Sequence, residues 1–182
     1  MLKPIKLSLR KYLFNKELQQ RRRKVRLITL ERAATIGILY NLFTEDDFKV
    51  MSRFIKKLQE QGKKVKAIAY NGGKIVPPFY NETLTQDLIL EKQLTRLSFP
   101  KVPFVSEFIE SQFDILFDFS MEHNFPVFYL GALSSAGFKI GLNEDNRVPY
   151  FDLVITPESN SSLEKHIEST LLYLEQIKPV IQ

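Results

Sequence analysis

The stretch TIGILYNLFTEDDFKVMSRFIKKLQEQGKKVKAIAY, Thr35 to Tyr70, decides the fold. Thr35 to Leu42 is a nearly continuous apolar, β-rich run, as expected of a strand covered on both faces. Helix signals follow at once. Thr44 is placed to cap a helix, Asp47 stands three residues on, and Phe48, Met51, Ile55 and Leu58 recur at helical spacing until Gly62 ends the pattern. Val65 to Tyr70 reads as a second strand that turns at Asn71, Gly72 and Gly73. Strand, helix and strand in this order predict a right-handed crossover and a parallel pair.

The alternation continues outward from this unit. Ile75 to Tyr80, with its prolines, reads as a surface connection, and Leu94 to Phe99 as a short strand. Ser106 begins a short helix, and Phe113 to Phe119 is a third strand. Asn124 caps a helix with Pro126 in its first turn and Gly137 past its end. Phe138 to Leu142 and Tyr150 to Ile155 are further strands. A last helix starts at a Ser161/Glu164 capping box and carries the stripe Leu163, Ile167, Leu171 and Leu174, which puts His166 on its exposed polar side. The pattern predicts a three-layer, Rossmann-like α/β domain with a mainly parallel sheet and a basic N-terminal helical arm.

The charge of the 182 residues is +5, unevenly placed. Met1 to Arg26 hold ten Lys or Arg and one acid, net +9, so the remainder holds sixteen bases and twenty acids, net −4. The chain thus divides into an arm, residues 1–26, and an acidic α/β body, residues 27–182. With no cysteine and only His123 and His166, thiol chemistry and cysteine-ligated zinc are excluded, and no metal or cofactor is expected. No apolar segment long enough to span a membrane is present, and no secretory pattern follows the basic start, so a cytoplasmic location is expected.

Ligands of an open parallel sheet bind beyond the carboxyl ends of its strands. That rule selects a ligand pocket of Asn41, Gly72, Gly73, Asp118, His123 and Asn143. A nucleotide-binding crossover would place glycines at the first helix. Here Glu45, Asp46 and Asp47 fill its first turn and would repel phosphate, and no Walker pattern occurs. Gly72 and Gly73 read as a tight turn needing positive φ, or as an anion-binding concavity joined by Lys74. Asp118, Glu122 and His123 offer acid–base groups, or an Asp118 that caps local amides beside a solvated loop.

In the arm, Ser8 to Lys24 has helical character with apolar residues on two sides: Leu7, Phe14 and Leu18 on one, Leu9, Tyr12 and Leu13 on the other. One side would pack on the body and leave the other to a partner. Arg10, Lys11, Arg21, Arg22, Arg23, Lys24 and Arg26 are the candidate nucleic-acid contacts, because guanidinium forks suit phosphate. A solvated basic segment stands beside that reading. A second cluster, Arg53, Lys56, Lys57, Lys63, Lys64 and Lys66, would extend the footprint if it shared a face with the arm.

The segments FDILFDFS (Phe113–Ser120) and ALSSAGFKIGL (Ala132–Leu142) resemble a strand, helix and strand in the N-terminal half of heptosyltransferase-like glycosyltransferases. The likeness covers about thirty residues and implies a Rossmann-like sheet. It does not carry the activity, since those enzymes hold the sugar nucleotide chiefly through a second half that this length does not accommodate. In layout, with TIGILYN, FDILFDFS and AGFKIGL, the chain also resembles a small bacterial family of unknown function, which brings no catalytic residues. The expectation is a non-catalytic protein whose arm contacts RNA or a ribonucleoprotein such as the ribosome. The alternatives are a degenerate glycosyltransferase-like or nucleotide-binding domain with a small-molecule ligand, and an arm that meets an anionic membrane surface.

Overall fold

The structure, a computed structural model, describes residues 3–142, 147–156 and 161–177. In chain order the elements are α1 (Lys3–Gln19), β1 (Thr35–Asn41), α2 (Glu45–Glu60), β2 (Lys64–Asn71), β3 (Gln86–Leu90), α3 (Pro103–Glu110), β4 (Ile115–Asp118), α4 (Phe125–Leu133), β5 (Phe138–Leu142), β6 (Leu153–Ile155) and α5 (Leu163–Gln176). The strands form one sheet in the order β3-β2-β1-β4-β5-β6, and every neighbouring pair is parallel. This is the order of dinucleotide-binding folds, with its reversal point between β1 and β4.

The apolar run at Thr35 becomes the central strand because both of its faces are covered. Ile36, Ile38 and Tyr40 point to the layer of α2 and α5, and Leu39 to the layer of α1, α3 and α4. Thr44 caps α2 through a complete capping box, and Gly62, at φ +80°, ends the turn after it. These local signals act as predicted, as does the Asn124 cap, whose Oδ1 accepts from the amide of Val127 at 3.0 Å.

Several boundaries differ from the sequence reading. Leu94 to Phe99 is a tight loop: the Thr95 amide donates to the Phe99 carbonyl, and Ser98 has φ 67°. The strand in this region is Gln86–Leu90, a short edge element. β4 is shorter than Phe113 to Phe119. Tyr150 to Ile155 is only partly strand, because Pro149 lies in a single 3-10 turn before β6. Ser162, not Ser161, caps α5, and α4 ends at Leu133, well before Gly137. The arm helix starts at Lys3 and stops at Gln19, leaving the arginine run in neither helix nor strand. His166 is buried against Phe119, ring to ring at 5.6 Å, because α5 presses a wider face onto the sheet than its leucine stripe indicated.

The arm is not a detached segment. Phe14 is buried among Phe125, Phe128, Tyr129 and Tyr150, and the hydroxyl of Tyr129 donates to Glu17. Near this junction Phe151 wedges between α4 and β5. A Cβ at Gly131 would lie 2.8 Å from its ring and one at Gly141 2.9 Å, so both positions need glycine for close approach. Phe151→Ala should lower unfolding free energy by about 3–5 kcal/mol, read as a lower urea midpoint. A loss below about 1 kcal/mol would show that the ring is not a core element.

Candidate functional site

At the carboxyl edge, the expected pocket residues turn toward the protein itself. Asn41 Nδ2 donates to the Glu122 carbonyl at 3.1 Å, and Asn124 donates to Asn41 Oδ1, closing the reversal point between β1 and β4. Asn71 Nδ2 donates to the Leu42 carbonyl, and its Oδ1 accepts from the Gly73 amide at 2.7 Å. Gly72 and Gly73 do not adopt positive φ. A Cβ at Gly73 would lie 2.6 Å from Asn71 Oδ1, and that contact is the local reason for glycine there. At the first helix, Asp47 accepts from the amides of Phe43 and Thr44, so the amides at the helix entry are already held by a protein carboxylate. Asn143 lies outside the described residues.

Asp118 is buried and pairs with Arg147, Nη1 to Oδ2 at 2.8 Å. It also accepts from the amide and hydroxyl of Ser120. His123 is exposed, 6.1 Å from the ring of Phe128. The histidine coupled to Asp118 is His166. Burial lowers the His166 pKa, Asp118 opposes that, and Arg147 reinforces it. Its Nδ1 has no hydrogen-bond partner among the described residues. Sequence reasoning missed Arg147, which no spacing or periodicity singles out.

The opposite, amino edge is where the arm crosses the body. Arg23 grips Asp152 in a two-point contact, Nη1 to Oδ2 at 2.8 Å and Nη2 to Oδ1 at 2.6 Å, and also reaches the carbonyls of Ala136 and Gly137. Asp152 Oδ2 accepts from the amide of Lys139 as well. The Arg26 amide donates to the Gly137 carbonyl, and its guanidinium lies 3.5 Å from Asp114. Burial alone would raise the Asp114 pKa. The Ala34 and Thr35 amides, the Thr35 hydroxyl and Arg26 together hold it below the usual range. Arg23 and Arg26 therefore fasten the arm. Arg10 sits 4.4 Å over the Phe125 ring, and Arg21 is 3.9 Å from Glu110. Lys11, Arg22 and Lys24 are exposed, and no carboxylate reaches them among the described residues.

Under this crossing lies a pocket of about 210 Å³ whose lining includes Arg21, Arg22, Arg23, Ser134, Ser135 and Lys139. Lys139 is almost wholly buried at the amino end of β5, where its Nζ donates to the Ala132 carbonyl at 2.8 Å. Burial pulls its pKa down to about 7, Arg23 adds to the fall, and Asp152 opposes it. A lysine inside the apolar run AGFKIGL was the available sequence signal. The second basic cluster does not join this site: α2 packs on the other face of the sheet. Arg53, Lys56 and Lys66 also pair with Glu164, Glu60 and Asp87, and Lys63 is held by the carbonyls of Leu30 and Ala33.

Among the described residues, no helix is long and apolar enough to cross a membrane. The model of a family of unknown function (DUF6913) matches residues 6–177, which includes most of the arm and nearly all of the body. No curated protein matches the chain. Neither comparison shows a likeness to heptosyltransferase-like enzymes.

Lys139 makes a measurable prediction. Between pH 7 and 10 the unfolded lysine holds its proton while the folded one has lost it, so the unfolded state binds more protons and stability should rise with pH. Urea midpoints of the native chain should climb across that window, by the equivalent of about 3 kcal/mol, and those of Lys139→Met should stay flat. Parallel curves for the two proteins would contradict a buried, deprotonated Lys139.

Proposed function

The chain belongs to this family of unknown function, and from its geometry we propose that it is a non-catalytic binding protein whose arm contacts RNA, within a ribonucleoprotein assembly such as the ribosome. The observation that carries the reading is the division of labour among the arm's cations. Arg23 and Arg26 anchor the arm, whereas Lys6, Lys11, Lys16, Arg22 and Lys24 are exposed without a carboxylate partner among the described residues. Repulsion among these charges is tolerated because the anchoring contacts hold the segment in place. At 100° per residue, Lys6 and Lys11 flank the docked Phe14 side of the helix and Lys16 lies on its outer side, so the cations border the surface left open to a polyanion. Tyr12, 63% exposed, offers a ring for base stacking.

A second reading, an anionic membrane surface, is favoured by one observation. Ile5, Leu9 and Tyr12 form an exposed stripe on the side of α1 away from the body. The cations around it are less segregated than an interfacial helix requires. The glycosyltransferase-like or nucleotide-binding alternative draws less support, because Asn41, Asn71 and Asp118 are engaged by protein groups.

Replacing Lys6, Lys11 and Lys16 together with Gln tests the reading without touching the anchoring arginines. Co-sedimentation with bacterial ribosomes or RNA at low salt should fall at least tenfold, and native binding should itself weaken by about two orders of magnitude between 50 and 200 mM salt. Unchanged co-sedimentation contradicts the proposal. Flotation with anionic vesicles that the same substitutions abolish, with no RNA binding, transfers the arm to the membrane reading.

A further inference from the structure

The pocket beneath the arm has a chemistry that the RNA reading does not use. Three arginines and the buried amine of Lys139 line it, and no carboxylate does. Asp152 offsets Arg23 by direct contact and also acts on Lys139, which leaves Arg21, 3.9 Å from Glu110, and Arg22 lining the cavity with weaker compensation. Arg22 is exposed, and no acid reaches it among the described residues. Two hydroxyls add neutral donors: Ser134 accepts the Ala136 amide at 3.2 Å, so its own proton is available, and Ser135 lies next to it.

We propose that this pocket is a binding site for a phosphate group, held between the Arg21 and Arg22 guanidinium groups and the Lys139 and Ser134 side chains. The geometry favours a compact, multiply charged anion. At about 210 Å³ the cavity is below the ~300–1,000 Å³ usual for a whole small-molecule ligand, so it takes a headgroup and leaves the remainder outside. Arginine forks match tetrahedral oxyanions at two points, and a partly desolvated cluster strengthens each contact. Lys139 is the deepest element. Its ammonium is disfavoured by burial and by Arg23, and an anion would supply the compensating charge. The site is independent of the lysines of α1, so it stands or falls separately from RNA contact along the helix.

The probes are inorganic phosphate and pyrophosphate, titrated calorimetrically into the full chain at constant ionic strength. The expected result is saturable binding, weakened at least tenfold in Arg22→Gln, an exposed position that leaves folding intact, and in Lys139→Met. The Lys6, Lys11 and Lys16 triple variant should bind both probes like the native chain even if RNA binding is lost. A 5′-phosphorylated oligonucleotide competing with pyrophosphate better than its 5′-hydroxyl counterpart would identify an RNA end as the source of the phosphate. A nucleoside monophosphate competing equally well would identify a small ligand instead. No saturable heat at millimolar probe, an equal response to chloride, or unchanged affinity in Arg22→Gln overturns the site.

Discussion

The contact between Arg23 and Asp152 is the constraint on which the placement of the N-terminal arm depends. One carboxylate receives two guanidinium nitrogens and the Lys139 amide, tying the arm, β5 and the approach to β6 together at a single point. Such a bidentate, mostly desolvated pair orients as well as attracts. It fixes the path of residues 20–26 over the amino edge, sets Arg26 against Asp114, and leaves Phe14 free to bury its ring among the aromatics of α4. Without it, the arm would be a basic tail with the entropy of one. With it, the arm is part of the domain's surface.

This docking changes what the arm's charge means. A run of arginines in sequence suggests a uniform cationic strip, but the structure gives the residues different tasks. Arg23 and Arg26 are structural, Arg10 is stacked on Phe125, and Arg22 is exposed where it lines the cavity. The sheet edge that the fold would ordinarily offer to ligands is closed by Asn41, Asn124 and the Asp118–Arg147 pair, while the opposite edge carries a cationic cavity. The strand order is that of a Rossmann-like fold, and the cationic cavity lies at the amino end of the sheet.

How much of this was legible in sequence depends on range. The crossover around Thr44 and Gly62, and the one that Asn124 caps, were readable because caps and apolar spacing act within a few residues. Gln86–Leu90 was not, since a five-residue edge strand carries too little alternation to stand out from its surroundings. His166 was misread because the leucine stripe of α5 marks the centre of its buried face and not its width. Arg23 with Asp152, and Asp118 with Arg147, join residues far apart in the chain, and no periodicity reports such pairings. Of the candidate site, the arginines were visible as a motif. Their division into anchors and exposed cations required the fold.

The measurement that bears most directly on a docked, load-sharing arm is amide hydrogen exchange of α1 in the native chain and in Arg23→Gln. In the native chain, residues 8–18 should be protected to a degree comparable with α4, and in Arg23→Gln that protection should be lost with β1 and β4 unaffected. Free-peptide exchange of α1 in the native chain, or unchanged protection in the variant, would contradict such an arm.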